Sequence, residues 1–252
     1  VTKRYNLLNY LGYKAVATTT LNTTQINALS ATTPSSPYRY LGGVVHSTPL
    51  VVTDSVTLNS SGNTVSSRKE YVVYGSMEGG LHIVDTKKKK KKSVFVPKEI
   101  LDNQDGKSLA NSEFKETGTL SYGVDAPWTA DNTFKVVSST SDGVTTTKYQ
   151  ATRMNIYGGL RMGGSALYGL NISSPTSPSL LFQITPSTAG FSRMGQIWSK
   201  PTIADIRVKG ERKRVLIFGG SYDASVYEKD ATAFTEPTSA TLGNAIYVVD
   251  AS

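Results

Sequence analysis

The sequence predicts an all-β protein, and within that class a β-propeller built of four-stranded antiparallel blades. Three observations lead there. Among 252 residues stand 22 glycines and 10 prolines, with abundant Thr, Ser and Val, the composition of a pleated, turn-rich chain. A glycine turn followed by a short apolar strand ending in Asp or Asn occurs three times. The copies are GSMEGGLHIVD (75–85), GGLRMGGSALYGLNIS (158–173), and RVLIFGGSYDA (214–224) closed by GNAIYVVDAS (243–252), so that LHIVD, LYGLN and IYVVD align without gaps. Each copy follows a proline-bearing lead-in: VVHSTPLVV (44–52), GVDAPWTAD (123–131) and IWSKPTIAD (197–205).

Each unit reads in the same order. A first strand begins just after Pro49, Pro127 or Pro201, where the missing N–H does no harm to a ladder. A second strand, at 71–74 and 216–218, runs into a glycine turn. Gly75, Gly79 and Gly80 are expected to supply the backbone freedom of that turn. The third strand ends at Asp85 or its counterpart, whose short side chain suits the next turn. A fourth strand follows at 93–96 and 179–184, and the third unit stops before its own. The blades are placed at about 41–100, 120–186 and 195–252. Residues 1–40 form a lead-in in which 7–13 is a short helix or a strand and 18–37 a polar loop. Residues 98–104 suggest one helical turn after Pro97. A hairpin over 132–150, turning at Ser141-Asp142-Gly143, reads as an insertion, as does an exposed loop over 229–242.

Four-stranded sheets repeated around an axis make a propeller, usually of 4 to 8 blades, because one such sheet cannot bury both faces alone. Three blades do not close a ring, so the sequence is expected to be an incomplete segment of a larger propeller. The start at Val1 and the stop at Ser252, with no visible signal peptide, suggest the same.

The net charge of +8 is local. Lys87, Lys88, Lys89, Lys90, Lys91 and Lys92 are consecutive, and without them 21 basic residues face 19 acidic ones. A solvated loop able to contact an anionic surface fits this better than a nucleic-acid interface. Absence of cysteine excludes a thiolate metal site, a catalytic thiol and disulfides. No apolar run is long enough to span a membrane as a helix.

Few residues invite chemistry. His46 and His82 occupy equivalent-looking strand positions, where packing or hydrogen bonding is expected. His46 and Ser47 are neighbours and would face opposite ways on a strand. Trp128 and Trp198 flank the lead-in prolines and read as core indoles. Arg153, Arg161 and Arg193 are candidates to pair with Asp125, Asp205 or Asp223. Asp102-Asn103-Gln104-Asp105-Gly106 lacks the later acidic ligand of a calcium cage, so no metal site is expected.

The ordered series VVHSTPLVV, YGSMEGGLHIVD, VFVPKEIL, GGLRMGGSALYGLNIS, GQIWSKPTIADI and FGGSYD resembles the C-terminal propeller of the PilC/PilY-type proteins of type IV pili. The resemblance implies a secreted protein at the bacterial cell surface, at the pilus tip or outer membrane. It also implies a non-enzymatic adhesion and assembly module whose partners are minor pilins or other pilus components and host-cell surface or extracellular matrix. Nothing matches the family's aspartate-rich calcium loop, so no cofactor is expected in this segment: either calcium binds elsewhere in the parent or this member lacks the loop. The inserted loops 53–69, 86–93, 132–150 and 229–242 are the expected contact surfaces. Two alternatives share the hairpin pattern: a quinoprotein-type propeller dehydrogenase, which needs a tryptophan-docking motif in nearly every blade and an acidic calcium cluster, and a periplasmic outer-membrane assembly scaffold.

Overall fold

A computed structural model describes residues 2–13, 22–30, 41–66, 68–102, 107–110, 122–227 and 240–251. Eleven strands, β1 to β11, carry most of this ordered structure. The first antiparallel meander is β1 (Leu50–Asn59), β2 (Lys69–Gly75), β3 (Leu81–Asp85) and β4 (Lys90–Phe95). A second consists of β5 (Trp128–Ser141), β6 (Val144–Gly158), β7 (Leu167–Asn171) and β8 (Ser179–Ile184), and a third of β9 (Thr202–Val208), β10 (Glu211–Gly219) and β11 (Ile246–Asp250). The all-β expectation holds. Each first strand starts at the residue following the lead-in proline.

The first two meanders join into one sheet through β1. The first half of β1 pairs with β2, from Leu50↔Val73 to Ser55↔Lys69. Its second half pairs with β6 on the other edge, from Ser55↔Gln150 to Asn59↔Thr146. The predicted hairpin is therefore no separate insertion: it is the far end of β5 and β6, continuous from Trp128 and Gly158 to Ser141 and Val144. Asp142 and Gly143 turn it at φ 51° and 74°, the positive values of a two-residue type I′ turn. In the same way the first seven residues of 53–69 belong to β1 and the last to β2.

Short helices accompany the strands. Thr2–Tyr10 (α1) settles 7–13 as helix through Tyr10, and Thr23–Ser30 (α2) replaces the polar loop expected there. Asn22 and Gln25 cap α2 reciprocally, Gln25 N donating to Asn22 Oδ1 and Asn22 N to Gln25 Oε1, both at 2.9 Å, a capping box in an Asn/Gln version. Lys98–Asp102 (α3) is the helical turn after Pro97, and Lys107–Ala110 (α4) follows. Tyr10, Ile100 and Leu109 pack with Val94 and Val96 into a small apolar cluster over the outer part of the first meander. Ala224–Tyr227 (α5) follows β10. Of the 229–242 loop only 240–242 are described, and the aspartate-containing 103–106 lie outside the described residues.

The core is stacked in layers, because β7 offers its two faces to different neighbours. Leu81 and Ile83 of β3 share one cluster with Tyr168 and Leu170 of β7. Leu167, on the opposite face of β7, joins Tyr247 and Val249 of β11. At roughly 25 cal/mol per Å² of apolar surface, these interleaved faces are the main cohesive term of the molecule. The opposite face of β11 is open: Ile246 is 78% and Val248 52% exposed.

Candidate functional site

The three lead-ins and the glycine turn of the second meander meet in one polar centre. His46 precedes β1, Asp125 precedes β5, Trp198 precedes β9, and Arg161 lies in the 3₁₀ turn Arg161–Gly163 after β6. Asp125 is buried, with a side chain 2% exposed, while that of His46 is 49% exposed. Asp125 accepts from His46 N at 3.0 Å and from the His46 ring Nδ1 at 2.7 Å. It also accepts from Arg161 Nη1 at 3.0 Å. Arg161 Nη1 also stands 2.9 Å from the same His46 Nδ1, so carboxylate, imidazole and guanidinium converge on one point. The Arg161 guanidinium lies 4.1 Å over the Trp198 ring, and Trp198 stacks on Tyr222 at 4.3 Å. An arginine with a carboxylate in its plane and an indole on its face is held in two directions at once.

His46 is thus not a strand residue, and its equivalence to His82 fails. His46 and Ser47 do part company: Ser47 Oγ accepts from Gly75 N at 2.7 Å. Of the expected arginine pairs, Arg161–Asp125 is present. Arg153 instead pairs with Asp131 at 2.8 Å, and Arg193 donates to Asn244 Oδ1 at 2.9 Å. Asp131, which sequence reasoning passed over, is a buried hub. Arg214 of β10 reaches both its oxygens, at 2.6 to 3.0 Å, tying the second meander to the third. Asp131 first, and then Asp205 at 3.2 Å, hold the Arg214 guanidinium above its ordinary range. Trp198 is only half buried and is no core indole. Trp128 is buried in the main cluster and lies against Gly158.

A second polar centre fills the first glycine turn. His82, fully buried, has Nε2 2.8 Å from both Ser76 Oγ and Glu78 Oε1. This serine, histidine and carboxylate do not form a hydrolase relay, because both partners converge on one ring nitrogen, where a relay needs one on each. Gly42 N donates to Glu78 Oε2 at 2.7 Å. Burial pushes the Glu78 carboxyl up, but the hydrogen bonds from His82 and Ser76 outweigh it, and the net direction is down. Of the turn glycines only Gly79 needs a positive φ, at 114°. Gly75 is needed for space instead: a Cβ there would stand 2.0 Å from the Val124 carbonyl oxygen. Gly80 is confined likewise by Tyr10 and Val94.

The lysine run is divided between turn and strand. Lys87, Lys88 and Lys89 form the β3–β4 turn, with Lys89 at φ 50°, whereas Lys90, Lys91 and Lys92 belong to β4, which corrects the expectation of a loop over 86–93. Asp85 fastens it: Oδ1 accepts from Lys87 N at 3.1 Å and Lys88 N at 2.8 Å, and Lys92 Nζ stands 3.3 Å from Oδ2. The Lys88 amide and the Lys92 ammonium hold the Asp85 carboxyl below its usual range against the effect of burial. Asn171 does the same service in the second meander, accepting from Ser173 N at 3.0 Å. Pro49, Pro127 and Pro201 sit one residue ahead of β1, β5 and β9. Among the described residues no group of three His, Asp or Glu converges as a metal would require, and no helix is long and apolar enough to cross a membrane.

No family model matches the chain. A curated relative is the type IV pilus biogenesis factor PilY1 of Pseudomonas aeruginosa (strain UCBPP-PA14), 27% identical over 177 residues. The match takes in 65% of this chain and 14% of that protein's length. The crystal structure of the Pseudomonas aeruginosa PilY1 C-terminal domain also aligns, over 61% of this chain and 25% of that one, at 22% identity and a TM-score of 0.38, too low to add to the argument. Over 65% of its length this chain is thus similar to a PilY1-type protein of type IV pili.

Proposed function

We propose that this chain is a propeller segment of a type IV pilus biogenesis factor, acting at the cell surface as a non-enzymatic module for pilus assembly and adhesion. The observation that carries the reading is the match to PilY1 over 177 residues. The propeller part draws support from the layered core, in which successive meanders pack face to face. In that reading the open face of β11, with Ile246 and Val248, takes the next blade, and its free edge takes a fourth strand. The polar centre at His46, Asp125, Arg161 and Trp198 is then a clamp that fixes the angle between blades. Minor pilins and the surfaces of host cells are the partners, met by side chains displayed on a rigid scaffold. The exposed lysines of 87–91 meet acidic groups through salt-sensitive attraction. Calcium, where the parent needs it, binds outside this segment.

The test is genetic. The region encoding 41–252 is deleted in frame from its parent gene in the native host, and surface pili and attachment to epithelial cells are counted. Loss of pili, restored by the intact gene, is expected; normal pili contradict the reading. A second strain, with Lys87 to Lys92 all changed to Gln, separates adhesion from assembly. Pilus number is expected to hold while attachment falls and loses its salt dependence. Unchanged attachment removes the lysines from the account.

A further inference from the structure

The far end of the β5–β6 hairpin forms, with the second half of β1, a three-stranded ribbon that stands apart from the layered core. Its register sorts the side chains by face. Val56, Tyr149 and Val136 lie in one row across the three strands, and Leu58, Thr147 and Ser138 two rows on. Phe134 continues that face on β5. The rows between carry Thr57, Lys148 and Val137, and Ser55, Gln150 and Lys135. One face is therefore apolar and the other basic. The apolar face lacks a cover among the described residues: Phe134 is 36% and Val136 52% exposed. The basic face has no carboxylate among its own residues. Asp54, at the root, is held by Lys69 and Gln150, and Asp142, at the tip, takes the Ser141 hydroxyl.

One edge of this ribbon is open. Over 134–141, β5 has β6 on one side and, among the described residues, no strand on the other. The two-residue turn makes Ser141 and Val144 a hydrogen-bonded pair, and the pairs alternate from there. Hence the N–H and C=O groups of Val136, Ser138 and Thr140 point outward, away from β6. Edges of this kind are commonly blunted by lysine, proline, bulges or inward charges, and over 134–141 Lys135 is the one charged residue. Here the only irregularity lies at the root, between Thr133 and Phe134, and the exposed stretch beyond it is regular.

We propose that this edge receives an extended segment of another polypeptide, added to β5 as a further strand, with apolar side chains at alternate positions and carboxylates between them. Backbone groups of Val136, Ser138 and Thr140 supply the pairing. The apolar side chains of the added strand extend the Phe134–Val136–Tyr149 face, and its carboxylates meet Lys135 and, one strand further in, Lys148. Recognition of this type takes affinity from the main chain and specificity from the alternating side chains.

Fluorescence anisotropy of the whole chain with two labelled ten-residue peptides tests this, one alternating Val with Glu and one alternating Val with Lys. Three variants accompany the native chain: Lys135→Glu/Lys148→Glu, Ser138→Pro, and Lys90→Glu as a control off the ribbon. The Glu peptide is expected to bind the native chain and the control about equally, and the double charge reversal to weaken it about tenfold while admitting the Lys peptide. Ser138→Pro, which removes one outward donor, is expected to lose both. Should circular dichroism show that this variant does not fold, the charge-reversal pair decides alone. Absence of binding, or equal binding of both peptides to all variants, overturns the proposal. Concentration-dependent dimers abolished by the ribbon variants overturn it too, in favour of a second copy of this chain as the occupant.

Discussion

The third strands of the first and last meanders share one pattern of apolar and aromatic positions ending in Val-Asp, LHIVD in β3 and IYVVD in β11, and they live in different surroundings. Leu81, His82 and Ile83 are fully buried. At the matching places Ile246 is 78% and Val248 52% exposed. Both strands pair with the preceding one in the same antiparallel sense. What differs is the company. β3 has β4 on its other edge and β7 across its face, with the α1, α3 and α4 cluster beyond, whereas β11 has β7 across one face only and, among the described residues, β10 as its one paired strand. Burial is a property that the stack confers on the strand. The strand's own residues only make it eligible.

The comparison breaks most visibly at the glycines that end the second strands. Gly75 and Gly219 hold corresponding places, yet a Cβ at Gly75 meets a backbone oxygen at 2.0 Å and one at Gly219 meets nothing closer than 3.9 Å. Gly75→Ala is expected to cost about 3 kcal/mol or more, because the Val124 carbonyl is backbone and gives way only with its whole segment. Gly219→Ala stays within about 0.5 kcal/mol. Urea unfolding of both variants measures the difference, and equal costs would dissolve it.

Next come the strand interiors. Ile83→Ala opens a cavity in a packed layer and is expected to cost about 2 to 4 kcal/mol. Val248→Ala, at the matching position, is expected to change stability by about 0.5 kcal/mol at most. The same denaturation experiment reads both.

Both turns hold a carboxylate that titrates below its ordinary range, Glu78 in the first meander and Asp223 in the third. Glu78 fills the first glycine turn, and the third meander has Tyr222 and Asp223 after its glycines. The folded Glu78 carboxyl titrates lower than in the unfolded chain. Its contribution is therefore complete above the ordinary carboxylate range and fades as pH falls through the folded value. Glu78→Gln is expected to cost about 1 to 3 kcal/mol at pH 7, through a buried hydrogen-bond network left half made. Its deficit against the native chain should narrow below about pH 5. A deficit constant from pH 7 to pH 3 would show that the charge of Glu78 contributes nothing. The smallest effect belongs to the exposed turn lysines. Lys87, Lys88 and Lys89 changed together to Gln are expected to shift stability by about 0.5 kcal/mol or less.

The framework was legible because its signals are local. A proline before a strand, a glycine in a turn and an aspartate after one each act within a few residues, so the order of strands, the start of β1, β5 and β9, and the role of Asp85 could be read directly. Whatever depends on distant neighbours was not. Gly75 looked like a turn residue and is a residue of close approach, because Val124, nearly fifty positions on, lies against it. His46 looked like a strand residue because its partner Asp125 belongs to another unit. Asp131 gave no motif at all, since Arg214 reaches it from the third meander. The hairpin looked inserted because nothing in 132–150 announces that β1 pairs with it. The cap of α2 was available as Asn22 followed three residues later by Gln25, hidden in a polar stretch that otherwise reads as loop.

Amide hydrogen exchange on the whole chain tests most directly whether the stack confers burial on its strands. The amides of Leu81 to Asp85 are predicted to exchange only through global unfolding, and those of Ile246 to Asp250 orders of magnitude faster, through local opening. Equal protection of the two strands would contradict the account.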